Sequence, residues 1–351
     1  MNKPTVSIII PVYNIEKWIE PGLSSIQRQT FRDFEIILVD DGSTDSSSKL
    51  CDDAAKEYDN ISVIHTENFG VGHARNVGID NAKGEFIYFF DLDDQAESNL
   101  LEICLSNITK YNADLIVFSF DMIKVGGYVS TVQNRFYYKY IDNIQDLKSY
   151  YLNNVLLLKS GNGFIWNKFY RKDFILKHKI CFPHLQIQQD EVFNLKVYRN
   201  EPKIVTLSSS LYNYYVYDSG NIRSRYIPNR FKIYLEVVKS FHDLNEEWGI
   251  SSSEISAHLA NRLVDSAVTT LRFNLLHPKC NLTKAEKEKE MTDIISNPLM
   301  VQSLNYCNLN ITRRLIIFSA KRHSLRLLKM SDCALRFMSN TRRWIRKNLK
   351  I

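Results

Sequence analysis

The sequence has few cysteines, and their spacing does not pair them. Its 351 residues include six, scattered singly at positions 51, 104, 181, 280, 307 and 333. Because no two of them form a C-x-x-C pair, the sequence predicts neither a zinc-thiolate site nor a thioredoxin-type redox motif. Single cysteines of this kind are typical of a reducing compartment, so we expect a cytoplasmic protein.

Long apolar runs and glycine-rich phosphate loops are also missing. No uninterrupted apolar run reaches about 18 residues, so we expect no transmembrane helix. Residues 1–11 lack the length and the small-residue cleavage site of a signal peptide. Neither G-x-G-x-x-G nor G-x-x-x-x-G-K-S/T occurs. A bound nucleotide would therefore have to be held by carboxylates, an aromatic side chain and a metal.

Positive charge is concentrated at one end of the chain. The net charge is +6, yet residues 312–351 alone contain 12 Lys or Arg against one acid, Asp332. The remainder is mildly acidic, which argues against a chain-wide nucleic-acid-binding surface. Cations mixed with apolar residues and Trp344 are typical of segments that bind membrane surfaces. We expect this tail to bind the inner face of the cell membrane, with a solvated helical face or a dimer contact as the alternative.

Short apolar runs alternate with helix-like segments over the first 120 residues. Solidly apolar strands separated by helices are typical of a mostly parallel sheet covered on both faces. The pattern predicts an α/β domain over residues 1–228 and a helical C-terminal region over 229–351. The predicted strands are 6–10, 35–39, 61–65, 85–90 and 114–120; the predicted helices are 16–29, a segment capped by Thr44 or Asp45 and ending near 58, 73–81 and 98–111.

The most distinctive stretch is Phe86–Asp94, where an apolar strand ends in three carboxylates, Asp91, Asp93 and Asp94. Like charges repel and are costly to bury, so such a strand end needs a cation or open water. Hard divalent metals take oxygen ligands and in turn hold phosphates. The cluster predicts a site for Mn²⁺ or Mg²⁺, with an ordinary solvated turn as the alternative.

Polar residues also follow the other predicted strands, at 11–14, 40–41 and 68–72. Ligands of open parallel sheets bind beyond the carboxyl ends of the strands, so these clusters should converge on one edge. There Tyr13 is suited to stack on a base, and Asp41 to accept the imide N–H of uracil. A structural role as a turn or cap residue is equally open to both.

Four segments of the chain, taken in order, resemble the opening of family-2 glycosyltransferases. They are VSIIIPVYN (6–14), QTFRDFEIILVDDGSTD (29–45), NFGVGHARNVG (68–78) with Gly84, and FDLDD (90–94). The resemblance implies a GT-A fold, a nucleotide-sugar donor, a divalent metal and inversion at the anomeric carbon. Leu92 replaces a more usual small residue, which should not alter metal ligation. The resemblance assigns the nucleotide-sugar to Pro11, Tyr13, Asn14, Asp41, Arg75, Asp91 and Asp93, and the metal to Asp93 and Asp94.

Two later segments, WNKFY (166–170) and QDEVFNL (189–195), resemble the second half of capsule- and lipopolysaccharide-type members of this family. In those proteins an acidic pair supplies the catalytic base. Gln189 stands where Glu is usual, and Asp190 keeps the place of the base. The alternative for Asp190 is a helix N-cap. The resemblance places the nucleotide-sugar half at about 1–120 and the acceptor half at about 121–228, with Trp166, Asn167, Lys168 and Glu191 on the acceptor side.

The resulting hypothesis is a metal-dependent, inverting glycosyltransferase of cell-surface polysaccharide biosynthesis. It would move one sugar from a nucleotide-diphosphate donor, with UDP-sugars expected first, to a lipid-linked or growing glycan. Asp190 would take the proton of the acceptor hydroxyl, because a sugar hydroxyl is a weak nucleophile. Two alternatives stay open: a nucleotide-sugar-binding partner subunit without activity, and a nucleotidyltransferase, which would release pyrophosphate.

Overall fold

The computed structural model describes residues 3–126, 129–157, 163–217 and 225–349, with side chains as far as residue 338. The chain divides into two compact units, Met1–Ser219 and Gly220–Ile351. Within the described residues, all ten strands lie in the first unit. They are β1 (Val6–Val12), β2 (Phe34–Asp41), β3 (Ile61–Thr66), β4 (Phe86–Phe89), β5 (Gln95–Ala96), β6 (Leu115–Val125), β7 (Ser130–Asn134), β8 (Lys139–Ile141), β9 (Lys168–Arg171) and β10 (Ile204–Tyr217).

Helices connect these strands and form the described part of the second unit. In the first unit they are α1 (Glu16–Gln27), α2 (Ser47–Glu57), α3 (Val71–Asn81), α4 (Leu100–Lys110), α5 (Ile144–Tyr150), α6 (Lys172–Lys177) and α7 (Gln189–Arg199). In the second unit they are α8 (Arg230–Glu247), α9 (Ser253–Thr269), α10 (Lys284–Ser296), α11 (Pro298–Ser303), α12 (Ile311–Lys321) and α13 (Leu325–Leu349).

The strands form one mixed sheet in the order β3-β2-β1-β4-β9-β6-β10-β5, with β7 beside β6 and β8 beside β10. β1, β2, β3 and β4 are parallel to one another, as are β6 and β10. β9 is antiparallel to both of its neighbours, β4 and β6. The predicted α/β class is therefore confirmed, and the parallel ladders that motivated it lie mainly in the first half of the sheet.

Close helix-on-sheet packing fixes the first half of the sheet. β1 is almost wholly buried, which is expected for a parallel strand covered on both faces. α3 packs on β1 and β2. A Cβ added at Gly78 would lie 2.3 Å from Cγ2 of Ile9. Glycine is therefore required at this contact, because any side chain would push the helix off the strand.

Most predicted elements of the first 120 residues are present, with shifts at their ends. α3 begins at Val71, two residues before the predicted start. β6 continues to Val125, beyond the predicted end at 120. The predicted N-cap of α2 was wrong: the cap is Ser46, while Oδ1 of Asp45 accepts a hydrogen bond from the N–H of Ser47 at 2.9 Å. Asp45, one of the two predicted caps, thus contributes its carboxylate from the residue just before the N-cap.

Polar contacts between helices hold the second unit together. The guanidinium of Arg313 donates two hydrogen bonds of 2.8 Å to the carboxylate of Asp265. Buried Asp332 accepts hydrogen bonds from Arg272 and Arg336, at 2.8 and 2.7 Å. Two cations of the basic tail, Arg313 and Arg336, thus bond to acids of this unit. Among the helices that the structure describes, none combines the length and the hydropathy needed to span a bilayer.

Candidate active site

The end of β2 supplies a buried carboxylate that organises the loop before α3. Asp41 is 3% exposed. Its two carboxylate oxygens accept hydrogen bonds from the backbone N–H groups of Phe69 and Gly70, at 2.9 and 2.8 Å. A carboxylate oxygen has more than one lone pair, so Asp41 can accept a further donor from a ligand. The structure thus joins two of the predicted polar clusters, 40–41 and 68–72.

The end of β1 is joined to the same region by Asn14. Its backbone has a φ of 50°, and its Oδ1 accepts hydrogen bonds from the N–H groups of Thr44 and Asp45, at 2.8 and 3.3 Å. Asn14 therefore ties the loop after β1 to the loop after β2. Pro11 pairs with Val39 in the β1–β2 ladder. Tyr13, which follows it, is half exposed, as a side chain that stacks on a base must be.

The acidic turn after β4 is anchored at its far end. Asp94 is 3% exposed. Its carboxylate accepts hydrogen bonds of 2.8 Å from the hydroxyl of Tyr212 and from the N–H of Tyr215, both in β10. Burial and the neighbouring carboxylates raise the pKa of Asp94 to about 9, and burial together with Asp91 raises the pKa of Asp93 to about 6. The turn therefore favours bound positive charge, which would relieve this repulsion.

Arg75 connects the acidic turn to the first turn of α7. Its side chain is 4% exposed. One terminal nitrogen donates a 2.6 Å hydrogen bond to Asp190, and the other donates a 3.1 Å hydrogen bond to Asp91. The guanidinium also lies 5.6 Å from the ring centre of Phe182. Three residues assigned by resemblance, separated by up to 115 positions, thus meet in one ion-pair network with a buried guanidinium and two partly exposed carboxylates.

Asp190 is held at the start of α7 and keeps access to solvent. The helix follows Gln188, whose backbone is left-handed at a φ of 64°, and the side chain of Asp190 is 23% exposed. Burial raises the pKa of Asp190, while Arg75 and Lys168 oppose that rise. Its neighbour Gln189 is buried, and among the described residues Oε1 of Gln189 has no hydrogen-bond partner. A raised pKa beside an open face is what a general base requires.

The residues assigned to the acceptor side lie beneath the site. Trp166, Asn167 and Lys168 are at most 2% exposed, and Glu191 is 6% exposed. The Trp166 ring stacks on Tyr212 at 4.5 Å between centroids, the residue that holds Asp94. Contact of these four side chains with an acceptor therefore stays a prediction, because in this structure they support the surface rather than line it.

Sequence reasoning missed the residues of β10 and α7 that hold the site in place. Tyr212 and Tyr215 bind Asp94. The Nδ2 of Asn194 donates to the carbonyls of Gly163 and Phe164, and its Oδ1 accepts from the hydroxyl of Tyr170. The run of aromatic residues at 211–217 was the available signal, since buried tyrosine hydroxyls usually have a polar partner.

A divalent metal fits this donor set if a ligand supplies part of the coordination. In the described part of the chain, no group of three His, Cys, Asp or Glu side chains is placed to hold a metal ion. Asp93 is partly exposed, whereas each oxygen of Asp94 already accepts one hydrogen bond from β10 and keeps only its second lone pair for a metal. Asp93 would therefore be the principal protein ligand, and phosphate oxygens would complete the shell, as is usual for Mg²⁺ beside nucleotides.

Comparison with known proteins identifies the family that this chain resembles. Residues 7–178 match the family described as Glycosyl transferase family 2. A putative glycosyltransferase, EpsH, from Bacillus subtilis is 33% identical over 66% of this chain and 66% of its own length. The glycosyltransferase GlyA of Streptococcus pneumoniae is 31% identical over 60% of this chain and 30% of its own length. The chain thus spans between about a third and two thirds of these two relatives.

Solved structures share the fold. The Staphylococcus aureus protein TarS, residues 1–349, crystallised in complex with UDP-GlcNAc, superposes with a TM-score of 0.60 and 20% identity over 95% of this chain and 91% of that one. A mannosyltransferase from Pyrobaculum calidifontis in complex with GDP-Man and Mn²⁺ gives 0.52, with 14% identity over 91% of this chain and 88% of that one. The α/β sheet with its helical extension is therefore a GT-A-type fold. Within it, residues 7–178 form a family-2 glycosyltransferase domain.

Proposed function

We propose that this chain is an inverting glycosyltransferase that uses a nucleotide-sugar, with UDP-sugars the first candidates. The observation that carries the proposal is the Arg75 bridge between Asp91 and Asp190. One guanidinium thus bonds both to Asp91 of the acidic turn and to Asp190, and we propose that the turn binds a metal and that Asp190 is the base. The relatives' names, and the UDP and UDP-GlcNAc complexes of TarS, support a nucleotide-sugar donor.

The donor would lie along the carboxyl edge of β1, β2 and β4. Tyr13 would stack on the base, and the remaining lone pairs of Asp41 would accept its imide N–H. Asp91 would contact the ribose, and Asp93 would hold a divalent ion, Mn²⁺ or Mg²⁺, together with the diphosphate. When bound, that ion would offset negative charge on the leaving diphosphate.

Asp190 would act as the general base. The hydrogen bond from Arg75 fixes one of its oxygens, and the other oxygen is left to take the proton from an acceptor hydroxyl. The hydroxyl oxygen would then attack the anomeric carbon from the face opposite the diphosphate, whose bond to that carbon breaks with its electron pair. This inverts the configuration and needs no covalent enzyme intermediate. A positioned base contributes about 10²–10⁴-fold to such a reaction.

The acceptor proposed here is a lipid-linked or growing glycan of the cell surface. Two relatives are named as a poly(ribitol-phosphate) beta-glucosyltransferase and a poly(ribitol-phosphate) beta-N-acetylglucosaminyltransferase, and these names support a polymeric acceptor. We place the enzyme in the cytoplasm, at the inner face of the membrane, where the basic C-terminal segment would hold it close to a lipid-linked substrate.

The test separates donor binding from transfer. With a panel of nucleotide-sugars, Asp190→Asn should retain metal-dependent thermal stabilisation by the donor but lose about 10²-fold or more in transfer. Asp93→Ala should lose both. Asp80→Asn, which removes an exposed charge on α3, is the control and should keep both.

Two outcomes would contradict the proposal. A chain that binds donor with neither transfer nor slow nucleoside diphosphate release would be a binding partner of another enzyme. Release of pyrophosphate instead would identify a nucleotidyltransferase. Normal transfer by Asp190→Asn would leave the family assignment intact and remove Asp190 as the base.

A further inference from the structure

The helices α12 and α13 form a hairpin, and one face of this hairpin points away from the rest of the second unit. Three residues, 322–324, connect them, and a connection this short makes helices antiparallel neighbours. The hydroxyls of Ser319 and Ser331 meet at 2.9 Å across the hairpin. Ile316, Ala320, Leu328 and Leu335 are buried, so one side of both helices packs on the rest of the unit.

The opposite side of the hairpin exposes large apolar side chains. Ser319 and Ser331 face each other across the two antiparallel helices. The residues that precede them, Phe318 and Met330, therefore lie on the same side of the hairpin. Phe318 is 54% exposed and Met330 67%. Ile311 and Phe337 lie on that side by helical spacing and are 54% and 72% exposed. Four large apolar side chains are thus exposed along one side of the hairpin, and exposed apolar groups that cluster in this way point to an interaction surface.

Cations surround these apolar side chains. Arg314, Arg322 and Arg326 are exposed on the same side by helical spacing, and the guanidinium of Arg322 lies 5.3 Å from the ring centre of Phe318. Between residues 311 and 338 the sequence contains one acid, Asp332. It is 4% exposed and bonded to Arg272 and Arg336. The outer face therefore carries positive charge and apolar groups together.

We propose that this outer face, defined by Ile311, Arg314, Phe318, Arg322, Arg326, Met330 and Phe337, binds the surface of an anionic lipid bilayer. Charge complementarity selects this occupant: anionic headgroups pair with the arginines while the apolar side chains enter the acyl boundary. A second copy of the chain, docked face to face, would instead set cations against cations. This inference rests on the proposed function, because binding to the bilayer would bring the enzyme to a lipid-linked acceptor.

Vesicle binding by the full chain tests the surface without reference to catalysis. We expect co-sedimentation with phosphatidylcholine vesicles containing about 30% phosphatidylglycerol, little with phosphatidylcholine alone, and release at high salt. Arg322→Gln with Arg326→Gln should weaken binding about tenfold or more, because each cation near an anionic surface contributes about fivefold. Phe318→Ser with Met330→Ser should weaken it at low salt, where the arginines still attract the anionic surface.

The matched control removes the same charge from α10. Lys284 and Lys289 are exposed, but they alternate with glutamates, so Lys284→Gln with Lys289→Gln should change vesicle binding less than about twofold. An equal loss in this control would mean that net charge alone drives binding and would overturn the proposal. So would unchanged vesicle binding by Phe318→Ser with Met330→Ser, or an altered oligomeric state of that variant in its place. Transfer to a soluble acceptor, measured in parallel, reports separately on the proposed function.

Discussion

The two sides of the candidate site are built from different kinds of structure. On the donor side, the ends of β1, β2 and β4 are set by continuous parallel ladders. On the acceptor side, Asp190 lies in the first turn of α7, after a left-handed residue, Gln188. Backbone pairing fixes the first side, whereas the buried side chain of Arg75 joins the second to it. Substitutions should therefore affect the two sides unequally.

Removing Arg75 should have the largest effect. Arg75→Gln leaves Asp91 and Asp190 without the cation they share, and breaking a buried ion pair costs about 3–5 kcal/mol. Because both carboxylates are partly exposed, we expect about 3 kcal/mol in urea unfolding and a loss of transfer of about 100-fold or more from misplacement of the base. In the control Lys139→Met, whose pair with Asp146 is about half exposed, the cost should stay below about 1 kcal/mol. Equal costs would mean that the bridge contributes no more than a surface pair.

Adding a single methyl group should have the next largest effect, and it should destabilise the donor side more than the acceptor side. A Cβ at Gly22 in α1 would lie 2.5 Å from the carbonyl oxygen of Leu92, inside the acidic turn, whereas a Cβ at Gly163 meets its nearest atom, on Glu191, at 3.9 Å. Gly22→Ala should destabilise the fold by about 1–3 kcal/mol and lower donor affinity, because the contacted backbone cannot yield freely. Gly163→Ala should be near neutral. Calorimetric donor binding and urea unfolding measure both, and unchanged donor affinity in Gly22→Ala would show that α1 does not support the turn.

The donor side could be predicted from the sequence because its signals are local. Apolar runs gave β1, β2 and β4, and the polar residues that follow each run lie where such strands end. Asp91, Arg75 and Asp190 were assigned by resemblance, and the structure brings them together. Short-range patterning thus sufficed wherever backbone ladders do the positioning.

The acceptor side could not be predicted in the same way, because long-range contacts define it. β9 enters antiparallel between β4 and β6, and four residues give no periodicity from which to read a pairing partner. The Trp166 ring stacks on Tyr212 of β10, a strand that begins more than 30 positions later. Similarly, the partners of Asp94 lie about 120 residues away, a distance over which residue patterns carry no information.

A buried lysine should lower the pKa of Asp190 on the acceptor side. Burial lowers the pKa of Lys168 to about 7, although Asp190 opposes this, and in turn Lys168 lowers the pKa of Asp190. In Lys168→Met that lowering is lost, so the pKa of Asp190 should rise and the acid limb of the kcat–pH profile should move to higher pH. Lys172→Met removes another buried lysine, one that donates to the carbonyl of Ala82, and should leave the limb in place. A limb that moves to lower pH, or not at all, would contradict a role for Lys168 in setting the base.

The smallest effect should be a pH-dependent change in stability when His65, near the donor side, is replaced. His65 bonds to Asp40 at 2.9 Å and to Asp52 at 3.1 Å, and these hydrogen bonds raise the pKa of His65. A raised pKa means that the folded state favours the charged imidazole. The stabilisation is therefore complete below the unfolded pKa of about 6.5 and is lost as the pH rises through the higher folded value. Because the side chain is 43% exposed, screening should hold the effect below about 0.5 kcal/mol.

Urea midpoints of His65→Gln should fall slightly below those of the unsubstituted chain at pH 5 and match them at pH 9, while exposed His184→Gln should match at both. A loss of stability that grows with pH would mean that His65 stabilises β3 as the neutral ring. The charge pair would then not stabilise the donor side.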